Sequence, residues 1–432
     1  MEHSQEIFAK ENGFARVQVP VEARGPAYPI FLIVAGALCG LPVLILSSQV
    51  GKELGLLGAV VAFIVGGAIS GVLGALNSYC GARSGLSLAL ISEQTFGRLG
   101  GIVLKLTIAL CTLGWFAVIC AVMGATAAGI LHQAWQINVA PAFLVGALIV
   151  VVGLLTLRGV KGLSWIGTII LPLTALLLAY AIYHTLPFHL TVRDTIIPSF
   201  GAAFSNAVSG VVGMYIVGVI IQPDFGRFVK IPSRAAFASG SALSIFYPLM
   251  LIASAIPSIA VGATDLISVL VGLGLAAPAF ALLLITATID SSVSLYSSSL
   301  GFTNLLKIVR LRWVIVAACV CAFWVTGVDA VALLAGFLTT LGIALPPVAA
   351  INIISALQRS IQDATRDVKT DLPLIRIGPC IAWVVGVAGG YAASVHWITL
   401  TTVASLDSIL FATITLAILR LGGKMVRQVA PG

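Results

Sequence analysis

The sequence predicts an all-α integral membrane protein with twelve transmembrane helices, and three observations predict it. Of 432 residues, 59% are hydrophobic and 9% charged. Soluble domains carry roughly 25% charged residues, so this chain has too few to cover a water-facing surface. Apolar runs approaching the ~20 residues that a membrane helix needs recur along the whole length. If those runs alternate across a bilayer, all of the 23 Lys and Arg except Lys52 and Arg193 fall on the side of the N-terminus. Basic residues mark cytoplasmic loops, so both termini are expected in the cytoplasm and the chain in the inner or plasma membrane.

The spans are expected at 29–50, 56–79, 101–131, 140–157, 163–184, 202–222, 235–260, 267–299, 313–327, 330–357, 375–394 and 399–420. The stretch 86–100, with Glu93 and Arg98, is more polar and reads as a short interfacial helix. Residues 1–26 are mixed in charge and have no apolar core of a signal peptide, so they read as a cytoplasmic tail, as do 423–432. Lys105 is expected to snorkel to the inner surface, and Trp135, Trp313 and Trp397 to anchor span ends at the interface. The seven cysteines all lie in or beside apolar runs and read as buried packing residues, without a disulfide framework. The net charge of +8 is accounted for by orientation. The bilayer is therefore the expected partner, nucleic acid is not, and the chain is expected to act as a monomer.

Several spans are punctuated in ways a passive anchor does not need. Span 1 holds Gly36, Gly40 and Pro42; span 6 holds Gly210, Gly213 and Gly218 before Pro223; span 10 holds Gly342 and Pro346–Pro347. Non-helical backbone at membrane depth is tolerated where it lines a cavity or is buried in protein. Interrupted segments at corresponding places in two halves point to a transporter built from inverted repeats. Spans 1 and 6 correspond if the repeat unit is five helices. The competing reading of each glycine is close helix packing.

Asp290 is the most informative residue. It follows the almost unbroken apolar stretch 276–289 and precedes Ser291, Ser292, Ser294 and Ser297 to Ser299. A carboxylate within a membrane helix costs about 2.5–3.5 kcal/mol or more, so it is normally paired, protonated or engaged with a ligand. No Lys or Arg stands at matching depth in spans 1, 3, 6 or 8. Its partner is then a proton, a sodium ion or an amine-bearing substrate, or else it is protonated and bonded to a neighbour such as Thr286. Asp407 in span 12 reads as bonded to a neighbour or placed near the outer interface. Asp224 with Arg227 reads as an ion pair at the cytoplasmic end.

Five stretches carry a resemblance. They are Gly81-Ala-Arg-Ser-Gly-Leu86 with Thr95-Phe-Gly97; Gly114-Trp-Phe116; Asp224-Phe-Gly-Arg-Phe228; Leu295-Tyr-Ser-Ser-Ser-Leu-Gly-Phe302 with Asn304; and Pro346-Pro347. In this order the chain resembles the nucleobase:cation symporter-1 family, and within it the cytosine permease branch. The resemblance implies a LeuT-like fold of 5+5 inverted repeats plus two C-terminal helices. Residues 27–200 would form the first repeat, 201–357 the second, and 358–422 helices 11 and 12. It implies cation- or proton-coupled import of a small heterocycle such as a nucleobase, hydantoin or vitamin precursor, with Na+ or H+ as coupling ion and no cofactor.

By position, the resemblance implies that Trp115 stacks on the substrate ring and that Tyr215 covers it from span 6. Thr112 replaces a substrate-binding glutamine, and Met214 stands where cytosine permeases have a serine. Gly40, Asp290 and Ser291 complete the substrate set. Gly36, Cys39, Thr286 and Asp290 fall where the family coordinates sodium. Ile289 replaces one sodium-binding hydroxyl, so the pocket is more apolar and carries one new acid.

Two rival classes are weaker. A membrane-embedded enzyme needs a His/Glu cluster, a Ser–Lys pair or a metal motif, and the five histidines (3, 132, 184, 189, 396) form no such spacing. A channel or receptor without coupled transport commonly has a filter motif, and none is visible.

Overall fold

The computed structural model describes residues 14, 17–185, 201–263, 265–306, 309–325, 340–359, 372–395 and 397–429. Expectations for the loop 185–200 with Arg193, for Lys307, Arg366 and Lys369, and for the first part of span 10 lie outside them. The described chain is nearly all helical, with one isolated bridge between Gly25 and Val229. Among the described residues 9 helices are long and apolar enough to cross a membrane, and three shorter apolar helices accompany them. Large apolar side chains such as Leu176, Phe237 and Trp324 face outward. Such a surface suits lipid and would be an aggregation hazard in water.

Helix α1 (Tyr28–Ala37) stops at a non-helical step, Leu38 to Gly40, and α2 (Leu41–Ser84) resumes with Pro42 in its first turn. Span 1 is thus interrupted where its Gly40 and Pro42 predict. Proline is tolerated there because the first amides of a helix have no partner within it. Helix α2 turns sharply at Gly55 (φ 70, ψ 171), a conformation that glycine adopts without a Cβ clash.

The segment 86–100 is a correction. It does not lie on an interface. Residues 88–96 form the first part of α3 (Leu88–Trp135), folded back at Gly97 (φ 84), with Leu88, Leu90, Ile91, Ser92, Thr95 and Phe96 buried. Its polar residues are consumed by partners inside the protein. Asn352 donates to Ser92 at 3.0 Å, Arg359 bonds Gln94, and Glu93 pairs with Lys105. Lys105 therefore does not snorkel; it is buried and paired.

Helices α4 (Pro141–Thr156) and α5 (Gly159–Thr185) follow. Next come α6 (Ala202–Ile220) and the short α7 (Gln222–Gly226). The expected glycine interruption of span 6 is not found: α6 runs unbroken to Ile220, and the chain turns only at Ile221. Gly213 lies inside the helix and faces Gly342, where an added Cβ would stand in ordinary contact at 3.4 Å from the Gly213 Cα.

Beyond α7 the chain forms α8 (Pro232–Ser241), a π-turn at Ala242–Phe246 and α9 (Tyr247–Val261). The expected span 267–299 is two helices, α10 (Leu266–Gly272) and α11 (Ala276–Leu305). Asp265 caps α10 by accepting from the Ser268 amide at 3.0 Å, and left-handed Gly274 (φ 79) separates the two. The remaining helices are α12 (Leu311–Val325), α13 (Pro346–Gln358), α14 (Ile377–Ser394) and α15 (Ala404–Val429). All seven cysteines are free.

Two hydrophobic clusters form the core. Ile289, Tyr215 and Val211 belong to one, and Trp115, Cys39 and Leu283 to the other. Met214, Phe246 and Ile285 touch both, so the seam between the clusters runs past the residues singled out in the sequence.

Candidate functional site

Three elements converge at that seam. Helices α3 and α11 are held together by the Ser298 hydroxyl, which donates to the Ala109 carbonyl at 2.9 Å. Gly301 admits the same neighbour, since a Cβ there would lie 3.0 Å from the Ala109 Cβ. Further along the pair, the Trp115 indole N–H donates to Oδ1 of Asp290 at 3.4 Å. One turn beyond, Cys120 Sγ and Ser291 Oγ stand 3.7 Å apart. The third element is the break between α1 and α2. A Cβ on Gly40 would stand 3.1 Å from Oδ2 of Asp290, so the carboxylate lies directly against the glycine backbone. Trp115 and Asp290 are 6% and 7% exposed, which makes this a desolvated site where an electrostatic contact is strong and a lone charge costly.

A cavity of about 10 Å³ opens beside Asp290, lined by Gly40, Leu41, Pro42, Ile119, Val122, Met123 and Ala287. That is room for about one water, so the site is closed around the carboxylate. Ile119, Val122 and Met123 were not among the expected site residues. The signal was available: they follow Trp115 at helical spacing and so share its face.

The other expected residues are placed as follows. Thr112 donates to Ile108 at 2.9 Å, Thr286 to Leu283 at 3.0 Å, and the Cys39 thiol to Ala35 at 3.3 Å. Each of these groups thus makes a bond to its own chain three or four residues back. Gly36 is faced by an apolar group: its absent Cβ would run into Ile289 Cδ1 and come 3.2 Å from the Gly167 Cα. Helices α1, α5 and α11 meet there. Among the described residues no group of three or more His, Cys, Asp or Glu stands close enough to hold a metal ion. Tyr215 is buried with its ring 6.1 Å from that of Tyr247, and Met214 is half-buried beside it.

A second polar cluster closes one end of the bundle. Asp224 Oδ1 accepts from the Leu88 amide at 2.9 Å. Arg227 is fully buried and donates to the carbonyls of Asp224 at 3.1 Å and Phe14 at 2.9 Å, and to the Tyr296 hydroxyl at 3.4 Å. Arg227 thus holds the Asp224 backbone directly, while the Asp224 carboxylate accepts from the Leu88 amide. Residues 17–25 are docked on this end. The Val19 amide donates to Gly85 at 2.9 Å, Arg24 Nη1 to Ala82 at 2.8 Å, and the Gly25 amide to Phe228 at 2.7 Å. Asp407, as expected of a residue bonded to neighbours, accepts from the amides of Leu400 and Thr401 at 3.0 and 2.7 Å.

Residues 19–371 match the family of permeases for cytosine/purines, uracil, thiamine and allantoin. The chain belongs to that family. It is a secondary transporter. Among curated proteins it is similar to the cytosine permease of Escherichia coli (strain K12), 25% identical over 354 residues that cover 80% of this chain and 81% of that one. Its fold is similar to that of Mhp1, a nucleobase-cation-symport-1 family transporter solved in a closed conformation with bromovinylhydantoin bound. The identity is 17% and the TM-score 0.75, over 94% of this chain and 95% of that one. MhsT, solved in complex with L-phenylalanine, is similar at 14% identity and TM-score 0.59, covering 91% and 97%.

Proposed function

We propose that this chain is a cation- or proton-coupled symporter that imports a small heterocycle, a nucleobase or a related pyrimidine, purine, hydantoin or vitamin precursor, by alternating access. The observation that carries the reading is the meeting of Trp115, Asp290 and the Gly40 break at one buried point. An aromatic platform, a carboxylate and an interrupted helix are the parts a membrane-embedded site for a polar ring needs. The named relatives support the same chemistry: one is a cytosine permease, the other a transporter with a bound hydantoin. In this reading Trp115 supports the ring and Asp290 takes the coupling ion or a charged substrate group. Thr112, Met214, Tyr215 and Ser291 lie around them, with Gly36, Cys39 and Thr286 on the ion side. Ile289 against Gly36 favours a proton or a charged substrate group over a sodium ion as the partner of Asp290. Uptake by proteoliposomes that depends on an imposed proton or sodium gradient tests it; uptake of no heterocycle under either gradient would overturn it.

The stacking role has its own test. Trp115→Ala is expected to weaken substrate affinity tenfold or more, about 1.4 kcal/mol, in a protein that still folds and inserts. Unchanged affinity in uptake kinetics would place the ring elsewhere.

The layout belongs to the same proposal: twelve spans as two inverted five-helix repeats, 27–200 and 201–357, then two further helices in 358–422, in a monomer with both termini cytoplasmic in the inner or plasma membrane. The charge distribution supports the cytoplasmic placement of the termini. With Ile308→Cys in a cysteine-free background, an impermeant thiol reagent is expected to label inverted vesicles and to leave intact cells unlabelled. Labelling of intact cells would reverse the topology.

A further inference from the structure

The two oxygens of Asp290 differ in their surroundings. Oδ1 accepts the Trp115 indole N–H at 3.4 Å. Oδ2 accepts no hydrogen bond among the described residues. It lies against Gly40, where a Cβ would come within 3.1 Å of it, and Asp290 itself lines the small cavity. The other walls of that cavity are apolar or glycine: Leu41, Pro42, Ile119, Val122, Met123 and Ala287 with Gly40. No lysine, arginine or histidine of the described residues hydrogen-bonds or ion-pairs with Asp290.

A buried carboxylate with one oxygen unbonded and no basic neighbour is costly unless something pairs with it. We infer that the substrate supplies the missing partner, presenting to the Asp290 carboxylate a cationic, amidinium-type edge with two adjacent N–H donors, one to Oδ2 and one to the lone pair that Oδ1 keeps beside the Trp115 N–H, and that Asp290 is the residue that selects it. This rests on the transporter reading above and narrows its substrate class. Neither uracil nor hydantoin presents two adjacent N–H donors: in each ring N3–H lies between two carbonyl oxygens and N1–H beside one. Those oxygens would face the carboxylate lone pairs in a site with no other charge to offset them. A site built around one buried polar group rejects an analogue that leaves it unpaired far more strongly than a hydrophobic pocket rejects an extra methylene.

The test uses the purified full-length protein in detergent and four probes of matched ring size: 2-aminoimidazole against hydantoin, and 2-aminopyridine against uracil, each titrated in a thermal-shift assay. A ligand that binds the folded state raises its apparent stability in proportion to its saturation. The expected result is half-maximal stabilisation by each amino heterocycle at a concentration at least tenfold below that of its imide partner. Asp290→Asn is expected to remove that discrimination. The wild-type panel decides the matter even if the variant fails to fold. Equal or tighter binding of the imides would overturn the inference and leave the transporter reading standing, because it would mean that Asp290 engages its ligand as a neutral acid donating to a carbonyl. Tighter binding of the amino heterocycles that persists in Asp290→Asn would also overturn it. Stabilisation by neither class, together with no gradient-driven uptake of any heterocycle, would overturn both.

Discussion

Asp290→Asn is expected to abolish gradient-driven accumulation while leaving the protein folded in the membrane. Asparagine keeps the size of the side chain, and its carbonyl oxygen still accepts the Trp115 N–H, so the α3–α11 contact survives. What it removes is the charge and the ability to take up and release a proton. A carboxylate at this depth costs free energy in the absence of a partner, and coupling uses that cost: the site is occupied when the carboxylate is compensated and empties when the compensation leaves. Without titration the two steps are uncoupled. Reconstituted protein should then lose uphill uptake at saturating substrate, and any residual exchange should not respond to external pH. Wild-type accumulation with a wild-type pH response would reduce Asp290 to a structural residue.

Arg227→Ala is expected to be the most destabilising of the substitutions considered. Its guanidinium is fully buried and bonds two main-chain carbonyls and the Tyr296 hydroxyl. It also stands 4.8 Å from the centroid of the Phe228 ring. Truncation leaves these acceptors unpaired in a dry environment, at about 1–3 kcal/mol for each, and opens a cavity where the longest side chain of the cluster stood. The α7 turn, α11 and the segment at Phe14 lose their common partner. A clear fall in the midpoint of thermal unfolding in detergent is the expected readout. Arg227→Lys is expected to recover little of it, because an ammonium cannot reproduce a planar fork that serves several acceptors. A midpoint unchanged in the alanine variant would mean that the cluster contributes nothing to closure of this end.

By itself the sequence determined the class of protein and the positions of most helices, and it singled out Asp290 and Trp115. The reason is physical and local. In a bilayer every backbone polar group must find a partner within its own segment, so an apolar run of sufficient length has almost no choice but to be a helix. Asp290 announced itself because an acid in such a run is expensive, and Trp115 because its motif resembled a known ring platform. Only the tertiary structure decided that they touch, since a hydrogen bond between residues 175 apart in the chain depends on how α3 and α11 pack. The same holds for each departure. A glycine in a helix reads alike whether it breaks the helix or admits a neighbour. Gly40 proved to be at a break, while Gly213 sits inside a continuous helix against Gly342. The polar segment 86–100 read as interfacial because its partners Asn352, Arg359 and Asp224 are remote in sequence. Lys105 read as a snorkelling residue for the same reason, with Glu93 brought beside it only by the turn at Gly97. Hydropathy is a property of a segment and is legible there; which polar groups satisfy one another is a property of the assembled bundle, and only the assembled bundle shows it.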